Sequence, residues 1–379
     1  MPDIVLVDFL RSAFTPARKG TLARVRPDDL AAGVVKALVA RSGIDPSHIE
    51  DVMLGCAFPE GEQGLNMARL VVLIAGLPKS VGGVTINRFC GSSMQAIHAA
   101  AGAIAMGAGE VFVCAGVESM SRVPMMGFNP LPNPRLHEAM PGAYMGMGET
   151  AENVARRYGV SRADQEAFAA ASHRKAAAAD FSSEVTAIAG ASKDGCIRAE
   201  TTPEILASLA PAFQIDGTVT AGTSSPLTDG AAAVLVCAMD YAARHGLQPM
   251  ARIRSIAISG CDPEIMGMGP VGASKKALAR AGLTIADIDI VELNEAFAAQ
   301  ALACLRELRI DETRVNLDGG AIALGHPLGA SGARITGKAA SLLRREKKQF
   351  ALATQCIGGG QGIATVLEAC CCGRSARWR

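Results

Sequence analysis

The sequence is poor in aromatic residues and carries almost no net charge. Only 4% of its 379 residues are aromatic, whereas 49% are hydrophobic, so Ala, Val, Leu and Ile must build the core. A formal net charge of +1 gives no electrostatic reason to bind nucleic acid or an anionic membrane. Uninterrupted apolar runs stay short of the ~18 residues that a membrane span needs. We therefore expect neither a nucleic-acid partner nor a membrane partner.

The short motifs of metal and dithiol sites are missing as well. The eleven cysteines include no CxxC pair, and the six histidines include no HExxH. Zinc-ribbon, thioredoxin-type and zinc-protease interpretations are therefore unsupported, and we expect no metal. The first residues, 1–8, have the pattern of a strand and not of a signal peptide. Cysteines that mostly stand singly in apolar surroundings then predict a reducing, cytoplasmic location.

Nucleotide-binding loops are also lacking. No Walker A sequence occurs, and the one GxGxxG match, residues 267–272, follows Asp262-Pro263-Glu264 and not a strand. Pro270 within that match removes an N–H group that a phosphate would need. We do not expect dinucleotide binding.

What the sequence does contain is an internal repeat. Gly43 aligns with Gly282, a shift of 239 residues, and four segments share this shift. The paired segments are 40–44 with 279–283, 49–52 with 288–291, 90–93 with 329–332, and 111–115 with 350–354. One shift that holds over four segments indicates a duplicated core.

A fifth match locates an insertion. Residues 230–235 resemble 362–367 at a shift of 132, and 239 − 132 leaves 107 extra residues in the first half. The predicted division is a first half at 1–118, an inserted loop domain at 119–228, the last strand and helix of the first half at 229–245, a second half at 246–369, and an atypical tail at 370–379. Alternating strand and helix patterns in both halves predict an α/β fold.

Cys90 lies in the segment Asn87-Arg88-Phe89-Cys90-Gly91-Ser92-Ser93, between an expected strand and an expected helix. A thiol at a helix N-terminus faces the positive end of the helix dipole, which favours the thiolate. A strand–turn–helix elbow also exposes a nucleophile. The alternative is a buried thiol that acts as a small hydrophobe.

Two further segments carry candidate groups. His326, in Gly-His-Pro-Leu-Gly, occupies the equivalent elbow of the second half and can move protons, although a structural loop histidine remains the alternative. Cys356 ends an expected strand and enters Gly358-Gly359-Gly360, whose N–H groups suit an oxyanion; the alternative is a core cysteine before a turn. Asn294 and Glu295 follow a further expected strand, where they hold a water or cap a turn.

Together these segments resemble the four signature blocks of the thiolase family, in the family's order: 87–93, 294–297, 325–332 and 356–362. The likeness runs from about Ile4 to Glu368, and residues 87–96 look most like the degradative branch, the 3-ketoacyl-CoA thiolases (acetyl-CoA acyltransferases) of fatty-acid β-oxidation. The resemblance implies a five-layered α/β/α/β/α core of two similar halves, a CoA-binding inserted domain, and homodimers or homotetramers. It leaves open a hydratase/dehydrogenase partner subunit.

The resemblance also implies roles for residues of the site. Cys90 would be the acylated nucleophile, and Cys356 would be the acid/base at the α-carbon. His326 would activate Cys90 and help bind the thioester oxygen, together with a water held by Asn294. The backbone N–H groups of Cys90 and Gly358 would form a second oxyanion site.

Coenzyme A is the implied co-substrate. Ser225 matches the family's pantetheine contact, Met147 and Phe297 match its apolar walls, and Arg198 aligns with an arginine near the adenine. The segment 195–202 is shorter than the family's usual stretch, and the tail 370–379 matches nothing in the family. Acyl chain length would depend on a pocket around residues 125–128.

Three alternatives stay open at this point. A biosynthetic acetoacetyl-CoA thiolase would share the same blocks. A decarboxylating condensing enzyme would share the fold and the nucleophile, but would be expected to use histidine or asparagine in place of Cys356. A non-catalytic acyl-CoA-binding protein would bind CoA without turnover.

Overall fold

The computed structural model of the protein describes residues 2–370. The strands are β1 Ile4–Ser12, β2 Thr15–Pro16, β3 Asp51–Gly55, β4 Gly82–Ile86, β5 Val111–Ser119, β6 Val185–Thr186, β7 Thr228–Ala238, β8 Ala251–Gly260, β9 Ile290–Leu293, β10 Phe350–Ile357 and β11 Gln361–Ala369. The helices are α1 Pro27–Ser42, α2 Met67–Ile74, α3 Ser92–Ala105, α4 Pro134–Ala139, α5 Met147–Arg157, α6 Arg162–Ala178, α7 Pro203–Ala207, α8 Met239–Arg244, α9 Gly269–Ala281, α10 Ala298–Leu308, α11 Ala321–Leu324 and α12 Leu328–Glu346.

The repeat in the sequence is also a repeat in backbone geometry. Helices α1 and α9 each have proline in the first turn and end at a left-handed glycine, Gly43 with φ 68° and Gly282 with φ 69°. Glycine adopts this conformation without a Cβ penalty, so both helices end at the same point of the repeat. Strands β3 and β9 and strands β5 and β10 also begin 239 residues apart, at 51 and 290 and at 111 and 350.

The strands form one continuous sheet with mirrored halves, in the order β4-β3-β5-β7-β1-β8-β11-β10-β9. The first half contributes β4, β3, β5, β7 and β1, and the second half contributes β8, β11, β10 and β9. In the second half, Val291 of β9 forms a parallel bridge with Val315. This bridge has the position that the parallel pairing of β3 with β4 has in the first half. Only two residue pairs, Val5 with Arg252 and Leu6 with Ala251, join β1 to β8.

Helices cover the two half-sheets in layers. Helices α3 and α12 pack against each other and against strands of both halves, while α1 covers the outer face of the first half-sheet and α9 that of the second. The glycines between the central helices allow a close approach: a Cβ on Gly332 of α12 would lie 2.4 Å from the backbone N of Met94 in α3. The predicted α/β/α/β/α layering is confirmed.

The segment between β5 and β7 contains α4 to α7, as the predicted insertion requires, and β7 then returns to pair with both β5 and β1. Strand β5 reaches Ser119 and β7 starts at Thr228, so core strands extend one residue into each end of the predicted insertion. The domain boundaries themselves stay a prediction. Of the predicted tail, residues 371–379 lie outside the described residues. Within 2–370, no helix is both long and apolar enough to cross a membrane.

Candidate active site

Cys90 lies at a strained elbow between β4 and α3. A short 3-10 turn, Phe89–Gly91, precedes α3, and Phe89 adopts a positive φ of 42°, which is uncommon for a residue other than glycine. Gly91 lets the second half approach, because a Cβ there would lie 2.6 Å from Cδ1 of Ile357 at the end of β10. The elbow that the sequence predicts is therefore present and packs directly on the other half.

Two backbone N–H groups lie near the sulfur of Cys90 and favour its thiolate: its own and that of Gly358. Burial raises the pKa of the Cys90 thiol to about 12 despite these two donors, which act in the opposite direction. The expectation that the helix terminus favours a thiolate considered one influence only, and burial acts on the thiol in the opposite direction. Cys90 rests as a neutral thiol.

Cys356 faces the same region from the second half. Strand β10 continues to Ile357, so Cys356 lies inside the strand and not at its end, and it is 1% exposed. It packs in an apolar cluster with Met147 and Phe297, among other side chains. Burial raises the pKa of the Cys356 thiol well above its ordinary value, and the neighbouring Cys90 makes a smaller contribution in the same direction. A thiol in this environment keeps its proton.

His326 and Asn294 form a second polar pair. Ser331 Oγ donates to the Pro327 carbonyl at 3.1 Å and so accepts from His326 Nδ1 at 2.6 Å. The other ring nitrogen, Nε2, is then free to accept from Asn294 Nδ2 at 3.3 Å. Burial, and secondarily the positive charge of Arg334, lower the pKa of His326 to about 3, so the ring is neutral.

The side chain of Asn294 has an unused hydrogen-bond acceptor. Its Oδ1 is buried without a hydrogen-bond partner among the described residues. A buried acceptor of this kind fits a bound water molecule. The polar pair therefore offers an unprotonated imidazole nitrogen beside an amide with unused hydrogen-bonding capacity.

The thiols and the polar pair are held close by the same elements. The backbone N–H of Asn294 donates to the carbonyl of Thr354, two residues before Cys356 on β10, at 3.0 Å. Leu328, two residues after His326, packs in a small apolar cluster with Cys90. The segments that carry the two thiols and the polar pair therefore lie close together where the two halves meet.

Glu295 lies next to Asn294 but points away from it. Its carboxylate accepts from Ser172 Oγ at 2.7 Å, from Asn316 Nδ2 at 2.7 Å and from the backbone N–H of Ile322 at 3.2 Å. It therefore braces the loop that leads to His326. Burial raises the pKa of Glu295.

Sequence reasoning missed Glu118, a buried carboxylate on β5 that ties the elbow regions together. It accepts from the backbone N–H groups of Ala57 at 2.8 Å and of Gly329 at 2.9 Å, and from Gln63 Nε2 at 2.8 Å. Gly329 belongs to the second half and the other partners to the first. No local motif marks Glu118, because its partners are distant in sequence.

The residues expected to contact CoA divide into two groups. Met147 and Phe297 line the cluster around Cys356, and Met147 Sδ would lie 3.6 Å from a Cβ on Gly358. The backbone N–H of Ser225 donates to the carbonyl of Ala296, beside Phe297, at 3.0 Å. Arg198, the other expected contact, is exposed, and its backbone N–H donates to His173 Nδ1 at 3.2 Å.

The described part of the chain contains no group of three or more His, Cys, Asp or Glu side chains arranged to hold a metal ion. The site itself offers two protonated thiols, one neutral imidazole, an amide and two nearby backbone N–H groups. Such a set can form a thioester, stabilise an oxyanion and transfer a proton.

Comparison with known proteins agrees with this geometry. Residues 4–240 match the family model of the thiolase N-terminal domain, and residues 247–369 match that of the thiolase C-terminal domain. A 3-ketoacyl-CoA thiolase of Bacillus subtilis is 48% identical over 98% of this chain and its own whole length. One of Marinomonas sp. is 51% identical over 97% of this chain and 98% of the relative.

A solved structure shares the fold. Human mitochondrial 3-ketoacyl-CoA thiolase, crystallised in complex with CoA, superposes with a TM-score of 0.90 and 37% sequence identity, covering 98% of each chain. The family models together span nearly all of the described residues, and the relatives align over almost the full length. The chain belongs to the thiolase family.

Proposed function

We propose that this protein is a 3-ketoacyl-CoA thiolase, an acyltransferase that cleaves 3-ketoacyl-CoA with CoA into acetyl-CoA and a shortened acyl-CoA. One observation carries the proposal: the elbow of Cys90 packs on Ile357 of the other half, which brings the Cys90 thiol next to the Cys356 thiol and the N–H of Gly358. The names of the relatives support the same substrate class. Degradation of fatty acids by β-oxidation is the matching physiological role.

The first step is acyl transfer to Cys90. The thiol gives its proton to the neutral His326 ring and adds to the ketone carbon of the substrate, which forms a carbon–sulfur bond and a tetrahedral oxyanion. The N–H groups of Cys90 and Gly358 receive that oxyanion, because both lie near the sulfur to which the new bond forms. A donor of this kind typically stabilises the transition state by roughly 3–4 kcal/mol.

Collapse of this adduct breaks the carbon–carbon bond and releases the enolate of acetyl-CoA. His326, once protonated, and a water on Asn294 stabilise the enolate oxygen, and Cys356 supplies the proton to the α-carbon. The raised pKa of Cys356 suits this task, since a thiol that keeps its proton is available as a donor.

The Cys356 thiolate then takes the thiol proton of coenzyme A, whose sulfur attacks the Cys90 thioester. The carbon–sulfur bond to Cys90 breaks, the shortened acyl-CoA leaves, and the Cys90 thiolate recovers its proton from His326. CoA is the co-substrate, and we assign Ser225, Met147 and Phe297 to its pantetheine arm and Arg198 to its nucleotide end. Thioester exchange is nearly balanced, so the same residues run the reaction in both directions.

The experiment uses Cys90→Ser and Cys356→Ser variants with a 3-ketoacyl-CoA and CoA. Wild type is expected to release acetyl-CoA, and Cys90→Ser is expected to form no acyl adduct by mass spectrometry. Cys356→Ser is expected to acylate Cys90 but to stop exchange of the α-protons of acetyl-CoA with deuterated water. A stoichiometric acyl adduct on Cys90→Ser would overturn the assignment, and CoA binding without any turnover by wild type would indicate a binding protein.

We further propose a homodimer or homotetramer, a cytoplasmic location, and the division into two halves with an inserted CoA-binding domain at 119–228. Strand β4 lies at an edge of the sheet with Val84 exposed, and an exposed apolar edge strand is a template for pairing. Eight cysteines within the described range are free thiols, at positions 56, 90, 114, 196, 237, 261, 304 and 356, which suits a reducing compartment. Size-exclusion chromatography with light scattering tests the assembly.

A further inference from the structure

The two N–H donors at the Cys90 sulfur come from opposite halves of the molecule. The donor of Cys90 belongs to the elbow before α3, and that of Gly358 belongs to the turn between β10 and β11. Because the chain does not connect these halves directly at this point, the spacing of the donors depends on the packing of Gly91 on Ile357 and on side chains that cross between the halves.

Two side chains make such crossings beside the donors. Arg88 Nη1 donates to Gln361 Oε1 at 2.7 Å, and Gln355 Nε2 donates to the Cys90 carbonyl. Ile357 pairs with Gln361 across the hairpin, so the two glutamines stand on either side of the Gly358 turn. The crossings therefore hold both ends of the turn against the elbow.

Arg88 is also anchored within its own half. Its Nε donates to Gln95 Oε1 at 2.9 Å on α3, and its backbone N–H donates to Ser92 Oγ at 2.9 Å. Its guanidinium donates to two neutral amide oxygens, those of Gln95 and Gln361. A planar fork with fixed donor directions suits this bridging better than a simple point charge would.

We propose that Arg88 is a positioning residue of the proposed thiolase reaction: its guanidinium fork fixes the distance between the Cys90 and Gly358 donors across the two halves. The strained φ of 42° at Phe89, directly between Arg88 and Cys90, supports this assignment, since a strained backbone persists only where its surroundings hold it. The proposal rests on the proposed function for its kinetic effect, but not for its effect on the thiol.

The test compares Arg88→Ala, Gln361→Ala and the double variant with wild type, with kcat calculated per titratable thiol. Each single variant is expected to lose roughly 10–100-fold in kcat, since misplacement of catalytic groups by about 1 Å costs up to about 100-fold. KM is expected to change by less than about 2-fold, and the double variant is expected to be no slower than Arg88→Ala. Gln361→Glu keeps an acceptor and is expected to restore most of kcat.

Gln95→Ala is the matched control, because it removes the partner of Arg88 that lies within the same half. It is expected to cost at least 3-fold less in kcat than Gln361→Ala. An equal or larger effect of Gln95→Ala, or independent losses that multiply in the double variant, would overturn the cross-half role.

A second measurement does not depend on turnover. The rate of alkylation of Cys90 by iodoacetamide at pH 8 is expected to fall several-fold in Arg88→Ala and Gln361→Ala, because a displaced Gly358 N–H no longer stabilises the thiolate. Unchanged alkylation in both variants refutes the positioning role. A wild type that is alkylated but does not cleave 3-ketoacyl-CoA refutes the proposed function instead, so the two failures are distinguishable.

Discussion

His98 is expected to make the protein sensitive to acid although it takes no part in the reaction. Its ring is buried on α3, and Nε2 lies 2.8 Å from Thr365 Oγ1 on β11. Burial, with a smaller contribution from the positive charge of Arg88, lowers the pKa of His98 to about 3. In the unfolded chain the imidazole has its ordinary pKa near 6.5.

The sign of the effect follows from these two values. Between pH 6.5 and about 3 only the unfolded chain binds the proton, so the stability that the neutral ring contributes is complete above pH 6.5 and declines as the pH falls. At pH 5 the difference of about 1.5 pH units corresponds to about 2 kcal/mol at 1.36 kcal/mol per unit. His173 and His326, whose pKa values burial also lowers, act with the same sign. Glu292, whose pKa burial raises to about 7, acts with the opposite sign.

The assay is urea unfolding of wild type and His98→Gln from pH 7.5 to 5.0 at one protein concentration. Glutamine can keep a hydrogen bond to Thr365 but does not titrate, and the contributions of all other groups cancel in the difference. Wild type is expected to lose about 2 kcal/mol more than His98→Gln over this range. His137→Gln, on the exposed helix α4, is the control and is expected to follow wild type. Parallel curves for wild type and His98→Gln would refute the argument.

Two predictions concern packing and buried charge. Gly116→Ala is expected to lower the free energy of unfolding by about 3 kcal/mol, because its Cβ would lie 2.1 Å from the Gly329 carbonyl. Gly102→Ala, which meets open space on α3, is expected to raise it by about 0.5–1 kcal/mol, and urea unfolding of both variants checks the pair. Arg334 and Glu292 form a fully buried ion pair, with Nη1 3.2 Å from Oε2. Arg334→Met is expected to cost about 3–5 kcal/mol in thermal unfolding, and adding Glu292→Leu should recover most of that loss; a double variant as unstable as Arg334→Met would contradict it.

Much of the fold could be predicted because the duplication is visible in short local segments of the sequence. The glycines that end α1 and α9 and the short apolar strands repeat at one fixed shift, and each is determined by its immediate neighbours. The strand order could not be predicted in this way, because pairing of β1 with both β7 and β8 depends on contacts between distant segments.

The candidate site was predictable to the extent that its residues stand in small-residue loops. Cys90, His326 and Cys356 are marked by neighbouring glycines, and the structure brings their segments together. The electrostatics were not predictable, because sequence alone does not show how strongly burial opposes a thiolate at Cys90. The hydrogen bond from Arg88 to Gln361 could not be predicted either, because no local pattern distinguishes either residue in its own segment.

The pairing of β1 with β7 also has a consequence for biosynthesis. About 215 residues separate the end of β1 from the start of β7, and a ribosome adding about 5–20 residues per second needs roughly 10–45 s to synthesise them. During that interval the apolar strand β1 exists without β7, the strand that completes its hydrogen-bond ladder. Until β7 emerges, the unpaired backbone groups of β1 are open to association with other chains.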